Sequence, residues 1–226
     1  MPQAKRDEII LSYHRVRRAL GYLGLVFPVL LIVGGLITEG KILPSISDYY
    51  FSPLRDLMVG ALAVIGMFLI AYKGHSPEDR DFISDNLLGN LAGLGAIGLA
   101  IFPNRAHSDG IETFFHAVLD DRVAIGLHVL SSFVFLMAIA VFCLSKFCRT
   151  HSAGHRRIYR LCGWVIIGTG VAAIIASGIR ATNVMEARAF VQDWCLIFWF
   201  EAVGIWAFGL SWLTKGRADL RFVRSR

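Results

Sequence analysis

The chain is 226 residues long, 55 % hydrophobic and 18 % charged, with a net charge of +6 and a mean hydropathy of +0.57. Such a chain is too apolar for an ordinary soluble domain and too long for one or two anchors. Its basic residues flank apolar runs and form no single patch, which excludes nucleic acid as the partner and ties the charge to topology and to anionic headgroups.

Within residues 6–20, Ile9, Tyr13, Val16 and Leu20 fall at helical spacing among Arg6, Arg15, Arg17 and Arg18. The pattern predicts a basic interfacial helix over 1–19, either a topogenic anchor or a lipid-sensing or docking element. A bilayer core about 30 Å thick takes roughly 20 apolar residues to cross. Six runs meet that need, at about 20–37, 56–72, 87–103, 122–147, 161–179 and 194–214. The first is long, contains Pro28 and continues into Thr38-Glu39-Gly40-Lys41 without a small-x-small site, so it reads as a membrane helix and not a cleaved leader. Pro28 predicts a kink in it.

Lys and Arg near helix ends set orientation. Seventeen of them lie in the N-terminal segment, the second and fourth loops and the tail, against six in the first, third and fifth loops (Lys41, Arg55, Arg105, Arg122, Arg180 and Arg188). The expected fold is therefore all-α and polytopic, with six transmembrane helices over 20–214, both termini cytoplasmic and a basic tail over 215–226. A cell or plasma membrane is the expected location. Cys143, Cys148 and Cys162 fall at one end of the helices and Cys195 at the other, too far apart for a staple and without the paired spacing of a zinc site.

Small residues four apart let helices approach closely in lipid. Gly89 and Gly93, with Ala92, Ala96 and Ala100, give the third helix two such ridges and a central place; Thr169, Ala173 and Ser177 repeat the device in the fifth. In the second loop, Ser76-Pro77-Glu78-Asp79 reads as a helix start, and Asn90 enters the third helix as a helix-to-helix bonding group. The third loop carries His107, Asp109, Glu112, His116, Asp120 and Asp121. His116 and Asp120, four apart, would share a helix face, and a solvated, partly helical loop stands beside a metal-binding reading there.

The first loop, Lys41-Ile42-Leu43-Pro44-Ser45-Ile46-Ser47-Asp48-Tyr49-Tyr50-Phe51-Ser52-Pro53-Leu54-Arg55-Asp56, is short, stiff and polar at once. Pro44 and Pro53 restrict the backbone on either side of Ser45, Ser47 and Asp48. Ionisable residues within membrane helices are costly and mark function by default. His128 lies six residues in from Arg122 and Glu201 eight in from Asp193, at depths of roughly 9 and 12 Å by the helical rise. Ser131 and Ser132 extend the polar stripe of His128. A buried carboxylate needs a partner, so Glu201 is expected to meet His128, Arg55, Arg180 or a hydroxyl of the first loop. The expected outward polar cavity is lined by Ser45, Ser47, Asp48, Arg55, His128, Ser131 and Glu201. A pair that only fixes helix packing is the plain alternative.

Pro44-Ser45-Ile46-Ser47-Asp48 followed by Pro53, then Asn90 in a Gly-rich third helix, His128 opening the fourth and Glu201 in the sixth resemble a six-helix superfamily. That superfamily holds the damage-regulated autophagy modulators, related regulators of phosphoinositide synthesis and lipid asymmetry, and membrane proteins that remodel GPI-anchor lipids. The likeness runs in order along nearly the whole chain, with Tyr49-Tyr50 standing where those relatives often carry glycine. It implies the six-helix fold, an outward site of Ser45, Ser47, Asp48, His128 and Glu201, and a role in membrane lipids.

Three functions follow as expectations. The first is a protein that binds or regulates membrane lipids through the outer cavity, calls for no cofactor, and leaves self-association open. The second is an intramembrane hydrolase or acyltransferase, zinc-dependent if Asp48, His116 and His128 act as ligands, with Glu201 as acid/base and Ser47 as nucleophile if a base lies within reach. The third is a proton-coupled carrier relaying through Glu201 and His128.

Overall fold

A computed structural model describes residues 3–74, 83–105, 113–149 and 152–224, with side chains placed for 14–74, 83–105, 113–149 and 152–216. The helices are α1 (Gln3–Thr38), α2 (Arg55–Ala71), α3 (Asp85–Ile101), α4 (Phe114–Val118), α5 (Asp121–Val141), α6 (Ala153–Arg180), α7 (Met185–Asp193) and α8 (Leu196–Arg224). A 3-10 turn, Ser47–Phe51, stands in the first loop, and a π-helical turn, Phe142–Phe147, extends α5. No strand occurs among the described residues. The predicted Ser76-Pro77 helix start, along with His107, Asp109 and Glu112, lies outside them.

Helix starts follow local capping chemistry, in which a side-chain oxygen takes one of the first unpaired N–H groups. Ser84 accepts from Leu87 N to open α3, Asp120 from Arg122 N to open α5, and Ser152 from His155 N to open α6. Because Asp120 caps α5 while α4 closes at Val118, His116 and Asp120 do not share a helix, contrary to the four-residue expectation. α1 runs unbroken through positions 19 and 20, as α8 does through 214 and 215, so the backbone marks no boundary at either position.

Among the described residues, four stretches are long and apolar enough to cross a membrane: His14–Thr38, Asp121–Phe147, Ala153–Arg180 and Leu196–Gly216. α2 and α3 have 17 residues each, about 25 Å at the helical rise. Large apolar side chains point outward, among them Ile37, Met67, Leu94, Val129, Phe133, Leu161, Trp164 and Ile174, while Ala92, Ala96, Ala100 and Ser211 are wholly buried. A water-soluble bundle would reverse that arrangement. The long apolar helices and the outward face are consistent with a membrane protein.

Close contacts fall where the small residues are. α3 lies between α2 and α5. A Cβ on Gly66 would stand 2.8 Å from Gly93 O, and one on Gly95 would stand 2.8 Å from Phe135 N and 2.9 Å from Ser131 O. α1 meets α8 through Gly24 and Gly209, with Trp206 Nε1 donating to Leu25 O at 3.1 Å. Contacts run α1–α2–α3–α5–α6–α8 and return to α1, so the circuit of helices closes on itself.

At the end away from the first loop, Lys146 in the π turn reaches Asp85 at 3.2 Å, both side chains nearly inaccessible. Tyr72, Phe142, Phe147 and Trp212 stack edge-on nearby, and Arg17 donates to the Tyr72 hydroxyl at 3.2 Å. All four cysteines are free.

Candidate functional site

The 41–54 loop folds inward and is gripped from several helices at once. Pro44 O accepts from Phe198 N at 2.9 Å, which seats the loop on the first turn of α8. The 3-10 turn then tightens the chain, with Asp48 N bonded to Ser45 O and to Ser45 Oγ, and Tyr49 N to Ile46 O. Tyr49 is wholly buried against Phe198, its hydroxyl accepting from Leu43 N at 3.3 Å, and burial pushes its phenol up from the ordinary value. Tyr50 donates to Ile101 O at 2.9 Å at the end of α3. The two tyrosines, where the resemblance expects a glycine, thus anchor the loop.

Four of the sequence-predicted site residues come together on this turn, and a fifth supports it. Ser47 Oγ stands 3.1 Å from His128 Nε2, and His128 Nδ1 stands 2.9 Å from Phe102 O. A carbonyl only accepts, so Nδ1 carries the proton; in the neutral ring Nε2 then accepts from the Ser47 hydroxyl. Glu201 Oε2 accepts from Ile46 N at 2.6 Å. Asp48 Oδ2 takes Arg180 at 2.7 Å, and Asp48 Oδ1 accepts from Asn104 Nδ2 at 3.2 Å. Ser45 braces the turn through its hydroxyl.

His128 and Glu201 share no hydrogen bond; they hold adjacent loop residues, Ser47 and Ile46. Glu201 is thus hydrogen-bonded to a backbone amide, while Arg180, one of the side chains expected, lies close enough to act on its charge. Arg55 turns elsewhere, its guanidinium 4.5 Å over the Tyr50 ring and bonded to the Tyr50 hydroxyl at 3.3 Å. Ser131 lies one turn below His128 and packs against Gly98 of α3. Sequence reasoning left Asn104 and the carbonyl of Phe102 out of the site, and named Arg180 only as a possible partner of Glu201.

Asp48, His116 and His128 do not assemble as metal ligands. No three His, Cys, Asp or Glu among the described residues gather at ligand spacing. Asp48 is taken by Arg180 and Asn104, and both nitrogens of His128 are engaged. His116 bonds Thr113 and Arg105 O while its ring stacks on Phe51.

At the level of this polar cluster, α6, α7 and α8 border an open, shallow cleft of about 280 Å³, lined by Ala172, Ile175, Ala176, Ile179, Ala187, Phe190, Val191, Leu196 and Phe200. Every lining residue is apolar. Ile179 and Phe200 are the chain neighbours of Arg180 and Glu201, so the apolar cleft and the charged cluster lie at the same level of α6 and α8. The cleft was not foreseen: α7 is too short and too polar to register as a membrane run, and it serves as one wall. Comparison with family models, curated proteins and solved structures returned no match.

Proposed function

We propose that this chain is a six-crossing membrane protein, both termini cytoplasmic, that binds and regulates membrane lipid at its outer face. The observation that carries the reading is the apolar α6–α8 cleft at the level of the Arg180–Asp48 pair, a site with the two-part chemistry of a lipid. The Arg180 side chain keeps 25 % of its exposure, and a guanidinium has five N–H donors, so donors remain for an anionic headgroup while an acyl chain enters the cleft. α2 and α3 count as crossings on this reading because their 17 residues suit a locally thin bilayer. The resemblance to the autophagy-modulator and GPI-lipid-remodelling superfamily supports the same function.

Native mass spectrometry of protein released from mild detergent tests it. Wild type is expected to carry a phospholipid, Ala187→Trp to lose it by filling the cleft from its surface wall, and Arg180→Gln to bind it more weakly. A bare wild-type chain, or lipid retained equally by both variants, overturns the reading. Reporter fusions at each loop test the topology, and a second or fourth loop found outside would refute it.

A further inference from the structure

We infer that Ser47 and His128 form an acyl-transfer pair acting on carboxylic ester lipid, with Ser47 as nucleophile and His128 as its base. The inference rests on the lipid-binding reading and names the chemistry of the same site. Three observations support it. The Ser47 hydroxyl is 3.1 Å from His128 Nε2, within the reach a nucleophile and base require. Phe102 O, 2.9 Å from Nδ1, fixes the tautomer that leaves Nε2 as the accepting nitrogen. Third, among residues 45–50 every residue but Ser47 is buried, while Ser47 is partly open. Within that stretch Ser47 alone remains open to an incoming group. Ser45, by contrast, is 3 % exposed and spends its oxygen on Asp48 N.

In the first half-reaction Ser47 Oγ attacks the ester carbonyl carbon and its proton passes to His128 Nε2. The ester C–O bond then breaks, and the same proton goes to the departing alkoxide, releasing a lysolipid or alcohol and leaving an acyl-serine. In the second half, water or a second alcohol gives its proton to His128 as its oxygen bonds the acyl carbon. The acyl–Oγ bond breaks and the proton returns to Ser47. Asp48, held by Arg180 and Asn104, acts as a positioning residue for the turn that carries Ser47.

An alkyl fluorophosphonate tests the pair directly. Ser47 Oγ displaces fluoride at phosphorus, so the adduct reports the nucleophile before any natural substrate is known. The full chain in nanodiscs is expected to label at Ser47 and not at Ser45 or Ser52, as read by peptide mass spectrometry. Ser47→Ala is expected to abolish the label, and His128→Gln to slow it at least tenfold. No Ser47 adduct on folded wild-type protein overturns the inference without recourse to any variant. Equal labelling of wild type and a folded His128→Gln also overturns it. Retained lipid with no Ser47 adduct would leave the lipid-binding reading standing and remove the acyl-transfer chemistry; an adduct on a chain that retains no lipid would do the reverse.

Discussion

The ion pair between Asp48 and Arg180 is bonded across 132 residues at 2.7 Å, and it joins the first loop to the end of α6. Its two sides differ in environment: the Asp48 side chain is 5 % exposed and that of Arg180 25 %. Breaking a fully buried pair costs about 3–5 kcal/mol, whereas a solvated one is worth about 0–1 kcal/mol. With one partner buried and the other partly solvated, the coupling should fall near 2 kcal/mol, roughly a thirtyfold change in the equilibrium constant. The measurement is a double-mutant cycle on Asp48→Asn and Arg180→Gln, with unfolding followed by circular dichroism during titration of mixed micelles with sodium dodecyl sulfate. Asn104 continues to hold position 48 in the Asn variant through an amide oxygen, so the cycle isolates the charge pair. A coupling below about 0.5 kcal/mol, the level at which independent sites add, would refute the assignment of this pair as the loop's main charged tie.

Gly95→Ala should destabilise by about 1–3 kcal/mol, because the new methyl meets three backbone atoms of α5, Ser131 O and the N and Cα of Phe135. Gly168→Ala, where a Cβ meets nothing within 4 Å, should be neutral or stabilising by up to about 1 kcal/mol; equal effects in thermal unfolding would sink the packing argument. Cys195 holds φ at +49°, a conformation that costs a side chain about 1–2 kcal/mol, so Cys195→Val should lower the melting temperature well below that of Cys195→Gly. Burial pushes the Cys148 thiol up, with Arg160 and Arg156 pulling partly back. A raised value means less thiolate at neutral pH; iodoacetamide should therefore modify Cys148 more slowly than a free thiol at pH 7, with the rate still climbing through pH 9. A rate already level by pH 8 would contradict it.

The long helices were legible because apolar runs of this length have few other fates; the glycine and alanine spacing of α3 marked its close contacts, but α3 is one member of a closed circuit and does not hold the central place that spacing suggested. Ser45, Ser47, Asp48, His128 and Glu201 were legible as polar groups in an apolar setting. Their partners were less so, for a physical reason: Ile46 N and Phe102 O, which meet Glu201 and His128, are backbone atoms, which every residue type supplies, so no letter announces them. Arg180 and Lys146 were counted as topology charges, yet each meets a buried carboxylate at its own end of the bundle. The spacing of His116 and Asp120 suggested a shared face because nothing in it reveals that α4 closes at Val118 and Asp120 starts a new helix.

The meeting of α1 with α8 at Gly24 and Gly209 constrains how the protein is made. α1 leaves the ribosome before α8, so the glycine face of α1 exists well before its partner does. Until residues 206–213 are synthesised, Leu25 O lacks the Trp206 donor and the circuit of helices stays open. Since Pro44 O and Ile46 N also wait for α8, the loop carrying Ser47 is seated only after residues 198–201 are made. Assembly of this site therefore waits on α8, and a ribosome stalled before α8 would leave a chain with its first loop unseated.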